Sequence, residues 1–319
     1  MTELSTVSLS TTGITEYDGT GESRSGEMMV ILSLICLSYI ISFLGLIGNG
    51  IVLWFLGFKM KRNKFTVYIL NLAMADFFHI FCFSVLQLDF LLLPKMIHFL
   101  YYPVMILSFG YFFMYNTGLF LLTAISLERC LSALYPLWYR CRRPKHQSTI
   151  VCGLLWVLSF LLTGIELYLC DFLNNFENCT YTMMIHIGVY TFLFLTPVMV
   201  FSSLTLFIKI QRSFQHGHSP KLYKVIVITV LIFLICALPV KVMQFIFSYQ
   251  YLPIPRIVLS LSLLLSIINS TANPCIYFLV GSRSRQRSWR SIKVALQRVF
   301  KQEMEEEMTT TSSREETQV

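Results

Sequence analysis

The sequence predicts an all-α membrane protein: a seven-transmembrane helix bundle with an amphipathic eighth helix on the cytosolic membrane surface. Three observations predict it. Of 319 residues, 55% are hydrophobic and 13% charged, too apolar for an ordinary water-exposed surface. The apolar residues gather into runs of the roughly 20 residues that a helix needs to cross a bilayer core. Lysine and arginine crowd the alternate connections between those runs, the asymmetry that orients membrane chains.

A segment in lipid must satisfy its own backbone polar groups, so each run is read as a helix. The spans are Val30 to Gly57, Phe65 to Leu93, Phe99 to Leu134, Ser148 to Cys170, Tyr181 to Ile210, Lys221 to Tyr249 and Arg256 to Val280. Before them, a polar stretch holds Glu3, Glu16, Asp18, Glu22 and Glu27 against Arg24. It reads as a disordered tail over residues 1–29 and not as a signal peptide. The bundle then covers 30–280, the eighth helix 281–301 and a second disordered tail 302–319.

Basic residues follow the first span (Lys59, Lys61, Arg62, Lys64), the third (Arg140, Arg142, Arg143, Lys145) and the fifth (Lys209, Arg212), and they flank the seventh from Arg283 to Lys301. Of the 25 Lys and Arg, only Arg24, Lys95, Lys241 and Arg256 fall on or toward the other side. The N-terminus is therefore expected outside a plasma membrane and the C-terminus in the cytosol. Basic loops beside a membrane serve topology and anionic lipid, so the +8 net charge calls for no nucleic acid.

Seven spans also suit a membrane transporter or channel, but the halves of the chain show no internal repeat of the transporter kind. The histidines, His79, His98, His146, His186, His216 and His218, form no helical pair with a carboxylate at metal-ligand spacing. No catalytic constellation and no protein-held metal site are expected. Past the last span, Trp289, Ile292, Leu296 and Phe300 recur at helical spacing among Arg290, Lys293, Arg298 and Lys301. Such a stripe lies along a membrane surface. No cysteine follows Cys275, so no palmitoyl chain anchors it.

Polar residues inside spans are costly and mark function. Here they are Asn49 after Gly48, Asp76 in the second span, Glu128-Arg129-Cys130 ending the third, Trp156, Pro197, Pro239 and Asn273-Pro274-Cys275-Ile276-Tyr277. In this order, one set per span, they resemble the rhodopsin-like class of G-protein-coupled receptors. The run from Asn116 to Cys130, continued from Tyr135 to Lys145, is similar to the Mas-related branch of that class.

The resemblance implies a bundle open to the outside, a heterotrimeric G protein as partner, and arrestin and a receptor kinase acting on the cytosolic side. It gives the switch to Glu128, Arg129, Asn273, Pro274 and Tyr277, and makes Pro239 the pivot of the sixth span, with Ala237 where an aromatic toggle is usual. Ser219 replaces the acid that restrains the arginine in many relatives, so basal signalling is expected. Asn49, Asp76, Asn269 and Asn273 suit either a bound sodium ion, the one cofactor expected, or a hydrogen-bonded strut. Val104 stands where most such receptors carry a cysteine, and the resemblance implies a substitute Cys170–Cys179 bridge, the alternative being two free thiols.

Glu166 in the fourth span calls for a cation, and the resemblance implies a cationic peptide site there, although Met183 replaces its second acid. Lys241 meets either a ligand carboxylate or Glu166. A short peptide or small amphipathic agonist is expected near Asp89, Tyr111, Phe112, Glu166, Lys241 and Tyr249, with a sensory or nociceptive role implied by resemblance alone. Asn178-Cys179-Thr180 is an exposed glycosylation sequon. Thr309 to Ser313 form a phosphorylation cluster, and Thr317 to Val319 fit a PDZ-type ligand.

Overall fold

The computed structural model describes residues 19–60, 63–92, 97–144, 146–168, 193–214 and 255–281, with short stretches between 228 and 246. Their helices are α1 (Gly19–Trp54), α2 (Thr66–Leu92), α3 (Ile97–Leu134), the short α4 (Pro136–Cys141), α5 (Gln147–Leu167), α6 (Thr196–Phe214) and α7 (Arg256–Gly281). A π-helical turn, Phe55–Lys59, continues α1. No strand occurs among the described residues.

Five helical segments, Gly26–Lys59, Thr66–Leu88, Tyr102–Ser132, Gln147–Leu167 and Arg256–Phe278, are long and apolar enough to cross a membrane. Leu193–Ile208 is a shorter apolar helix, and parts of the predicted sixth span are helical between 228 and 246. The architecture is the expected seven-helix bundle. Several boundaries differ: α6 runs to Phe214, beyond Ile210, the short α4 was not expected, and α1 begins at Gly19, inside the stretch read as a disordered tail. Once the apolar part nucleates the helix, extension adds one hydrogen bond per residue fixed, so polar residues free of proline prolong it. The acid Glu22 also suits the first turn of a helix.

α2 packs against α1 and α3, α7 against α1 and α2, and α3 also against α5 and α6. The outer surface is apolar: Phe43, Leu44, Leu154, Leu161 and Phe201 are all exposed, as lipid requires. On α5 the buried residues are Ser148, Cys152, Ser159 and Thr163. Apolar outward and small or polar inward is the membrane arrangement, because close approach and interhelical hydrogen bonds hold helices together where lipid cannot. Asn116 donates to Thr163 Oγ1 at 3.1 Å, and Trp156 Nε1 donates to Asn71 Oδ1 at 3.0 Å.

The α1–α7 contact depends on two glycines. A Cβ on Gly45 would lie 2.3 Å from Thr271 Oγ1, and one on Gly48 would lie 2.9 Å from Pro274 Cγ. Thr271 and Pro274 therefore nest against bare backbone, and the kink-forming proline of α7 is seated on α1.

Candidate functional site

Halfway along the bundle, Asp76 and Asn273 are buried and joined: Asn273 Nδ2 donates to Asp76 Oδ2 at 2.7 Å. Asn49 Nδ2 donates to the carbonyls of Gly45 at 3.1 Å and Ser270 at 3.2 Å, tying α1 to α7 at the same level. Asn269 is buried on α7, but no hydrogen bond joins it to Asp76 among the described residues. Gly118 of α3 faces the acid, since a Cβ there would stand 3.5 Å from Asp76 Oδ1. The pairing is a strut between α2 and α7 with one carboxylate oxygen turned toward α3.

At the end of α3, Glu128 and Arg129 are both buried. Two i-adjacent side chains on a helix point in different directions, and the two accordingly meet different neighbours. Glu128 Oε1 forms an ion pair with Nη2 of Arg143, which follows α4. Arg143 Nη2 also donates to Ser148 Oγ at 2.7 Å. Ser148 Oγ donates in turn to the Lys64 carbonyl at 2.6 Å, and the Tyr68 hydroxyl faces Glu128 Oε2 from 3.5 Å. The Arg143 guanidinium also lies over the Tyr139 ring at 5.0 Å.

Arg129 instead holds its guanidinium carbon 3.6 Å above the centroid of Phe65, within the range of a cation–π contact. Tyr277 is buried and shares a small void with Phe65, Ile125 and Val230. Tyr277 of α7 thus approaches Phe65, just before α2, and Leu122 and Ile125 of α3.

At the opposite end, Tyr111 and Phe112 line a cavity between α1, α2, α3 and α7. Glu166 sits half-buried in the last turn of α5 and is not among that cavity's walls. Asp89 lies in α2, but its side chain falls outside the described residues, as do Ala237, Pro239, Lys241, Tyr249, Ser219, Cys170, Cys179, Asn178, the eighth helix, Thr317 and Val319. The seven described cysteines, Cys36, Cys82, Cys130, Cys141, Cys152, Cys236 and Cys275, are free. No cluster of three or more metal-ligating side chains exists among the described residues.

Two site residues escaped the sequence reading. Arg143 is one base in the run Arg140-Cys141-Arg142-Arg143, and nothing local marks it as the partner of Glu128. His79 is fully buried on α2, its ring 4.6 Å from that of Tyr111 and 5.2 Å from that of Tyr115. Its Nδ1 lies 3.2 Å from the Tyr111 carbonyl, which only accepts, so Nδ1 carries the proton. Its position one turn beyond Asp76 was the available signal.

A seven-helix membrane bundle with a buried Glu-Arg pair ending the third span and Asn-Pro-x-x-Tyr closing the seventh has the makings of a receptor. Residues 48–277 match the family described as 7 transmembrane receptor (rhodopsin family). The chain is 48% identical to Proto-oncogene Mas of Rattus norvegicus over 269 residues, 83% of this chain and 82% of that protein. It is 45% identical to Mas-related G-protein coupled receptor member H of Rattus norvegicus over 284 residues, 87% and 86% of the two chains. With Mas-related G-protein coupled receptor member X1 of Homo sapiens it shares 40% identity over 304 residues, 92% and 91% of the two chains. The chain belongs to the Mas-related branch of the rhodopsin family of G-protein-coupled receptors. It is therefore a multi-pass receptor of the cell surface, not an enzyme or a transporter, and its partners are a G protein and an extracellular ligand.

Proposed function

We propose that this receptor, N-terminus outside, takes a short peptide or small amphipathic agonist at the end of the bundle that holds Tyr111, Phe112 and Glu166. Asp89, Lys241 and Tyr249 complete the site, Glu166 receiving a cationic group and Lys241 a carboxylate. Agonist binding shifts the population toward a state in which the Arg129 end opens to a G protein. The observation that carries this reading is the division of charge around α3: Glu128 is occupied by Arg143, while Arg129 rests on Phe65. Arg129 packs on an aromatic ring, and the sixth span, Lys221 to Tyr249, carries no acid that could pair with it.

A sodium ion would take its oxygen ligands from Asp76 and Asn273, with Asn49 and Asn269 in support; the buried Asp76 carboxylate supports this reading. Arrestin and receptor kinases act on the Thr309 to Ser313 cluster, membrane lipid holds the eighth helix, and a PDZ domain takes Thr317 to Val319. The reading is tested by screening basic and neutral peptides against calcium and cyclic-nucleotide responses in cells expressing the chain. A response lost in both Glu166→Ala and Lys241→Ala supports the proposed pocket. An agonist whose potency neither substitution changes refutes it.

A further inference from the structure

At the Arg129 end, the connections after the first and third spans, residues 57–65 and 133–149, each hold four Lys and Arg and no Asp or Glu. Arg143 is buried and committed to Glu128. Lys59, Arg142 and His146 are exposed, and Lys64 is half-buried. The charge of both connections is therefore of one sign, and it faces outward.

The two connections are fixed to one another. Arg143 donates to Ser148 Oγ, and Ser148 donates to the Lys64 carbonyl, so the main chain of the first connection is bonded to the start of α5. Lys64 itself sits in a capped turn. Asn63 Oδ1 accepts the backbone N–H groups of Phe65 at 3.1 Å and Thr66 at 2.7 Å, and the Asn63 N–H donates to Thr66 Oγ1 at 2.8 Å. Folding thus joins two basic segments along one rigid seam. Like charges held together repel, and an anion seated among them removes that cost.

The position of the seam indicates where such an anion comes from. Trp54 and Phe58 are exposed on the outer surface just before Lys59, their rings 5.2 Å apart, and Tyr135 and Trp138 are exposed beside α4. Exposed aromatics at the end of a span mark the headgroup level of a bilayer. We propose that the seam is a binding site for a phosphoinositide, an inositol lipid bearing phosphate monoesters, distinct from the lipid contact of the eighth helix. Lys59, Lys64 and Arg142 supply cations and His146 a ring N–H to the phosphates. A phosphate monoester presents more than one negative charge on three acceptor oxygens, which guanidinium and ammonium groups match. A phosphatidylserine head has no phosphate monoester.

Each basic residue of the seam adjoins a neighbour of the Glu128-Arg129 pair. Lys64 precedes Phe65, whose ring lies under Arg129, and Arg142 precedes Arg143, which holds Glu128. A bound headgroup therefore clamps both contacts from the membrane side. The proposed orientation of the receptor enters only in assigning the lipid to the cytosolic leaflet.

The test uses the full-length receptor in phosphatidylcholine nanodiscs doped either with phosphatidylinositol bisphosphate or with phosphatidylserine at matched total charge. Bound lipid is counted by native mass spectrometry across a range of doping. The bisphosphate lipid is expected to saturate a site at a lower mole fraction than phosphatidylserine. Lys59→Gln combined with Arg142→Gln should weaken that binding about tenfold or more, since each base near an anionic surface is worth about fivefold in affinity. Arg142→Gln alone serves if the double variant does not fold, and should weaken it about fivefold. Lys293→Gln combined with Arg298→Gln, on the eighth helix, should leave it unchanged. Equal binding of the two lipids at matched charge would overturn the proposal, because the seam would then be a diffuse potential and not a site. Loss of binding in the eighth-helix variant alone would overturn it too, as would competition by soluble inositol trisphosphate equal to that of the lipid. Nanodiscs offer the lipid to both faces and the readout is binding, so a failure of the proposed orientation or of the Glu166 and Lys241 agonist site would not alter the result.

Discussion

Arg143 and Glu128 form a buried ion pair that ties the segment after α4 to the end of α3. The pair is embedded in a relay: Ser148 accepts from Arg143 and donates to the Lys64 carbonyl, so the connections after the first and third spans and the start of α5 meet at one carboxylate. Neither charge reaches water, since each residue is only 6% exposed.

Removing one partner of such a pair leaves the other charge uncompensated, which costs roughly 3–5 kcal/mol. Arg143→Met and Glu128→Gln are each expected to lower the thermal midpoint of the purified receptor sharply. The double variant should be more stable than the sum of the two losses implies. Strict additivity in thermal-shift measurements would show that the two side chains do not interact.

Gly118 offers a gain instead of a loss. A Cβ at this position makes ordinary contact with Asp76 Oδ1 at 3.5 Å, so Gly118→Ser fits and brings a third hydroxyl or amide donor to a carboxylate that already accepts from Asn273 and Ser270. A net hydrogen bond of about 1 kcal/mol is expected to raise the thermal midpoint and to make it more sensitive to sodium. A midpoint that moves with neither substitution nor sodium would count against any role for Asp76 beyond the strut.

Gly45 has no such latitude. A methyl group there would sit 2.3 Å from Thr271 Oγ1 and 2.6 Å from Ile80 Cδ1, forcing α1 away from α7 and α2. Overpacking of this kind costs about 1–3 kcal/mol, so Gly45→Ala should depress surface expression. Gly153→Ala, with nothing within 4 Å of the added methyl, should be silent. Equal surface staining of the two variants would contradict the close α1–α7 contact.

How much could be read in advance follows from what sets each feature. Five of the spans were legible because the bilayer fixes length and apolarity, and α7 begins at Arg256, as read. Asp76 and Asn273 were legible because polar groups in lipid are scarce and must find one another. Arg143 was not, because it stands among neighbouring bases of the same kind and only tertiary packing brings it to Glu128. His79 was hidden for a related reason: its partner is the Tyr111 backbone carbonyl, which no side-chain pattern announces. Gly45 and Gly48 could be read as small residues, but not as the seats for Thr271 and Pro274, because that depends on the register between α1 and α7.

The contact of Arg129 with Phe65 yields the prediction closest to signalling. The resemblance to rhodopsin-like receptors places an acidic restraint where this chain has Ser219, and the guanidinium lies 3.6 Å from the Phe65 ring centroid. A desolvated cation–π contact contributes about 2 kcal/mol. Phe65→Leu keeps the apolar bulk of this buried position but removes the ring quadrupole, so it should release Arg129 without dismantling the core. If the contact favours the inactive state by about 1 kcal/mol more than the active one, losing it raises the active fraction roughly fivefold. Basal second-messenger output should rise by that order, Phe65→Trp should suppress it, and Arg129→Ala should abolish coupling in every background. Basal output in Phe65→Leu no greater than in the parent receptor, at equal surface expression, would show that the ring only packs against Arg129 and does not restrain it.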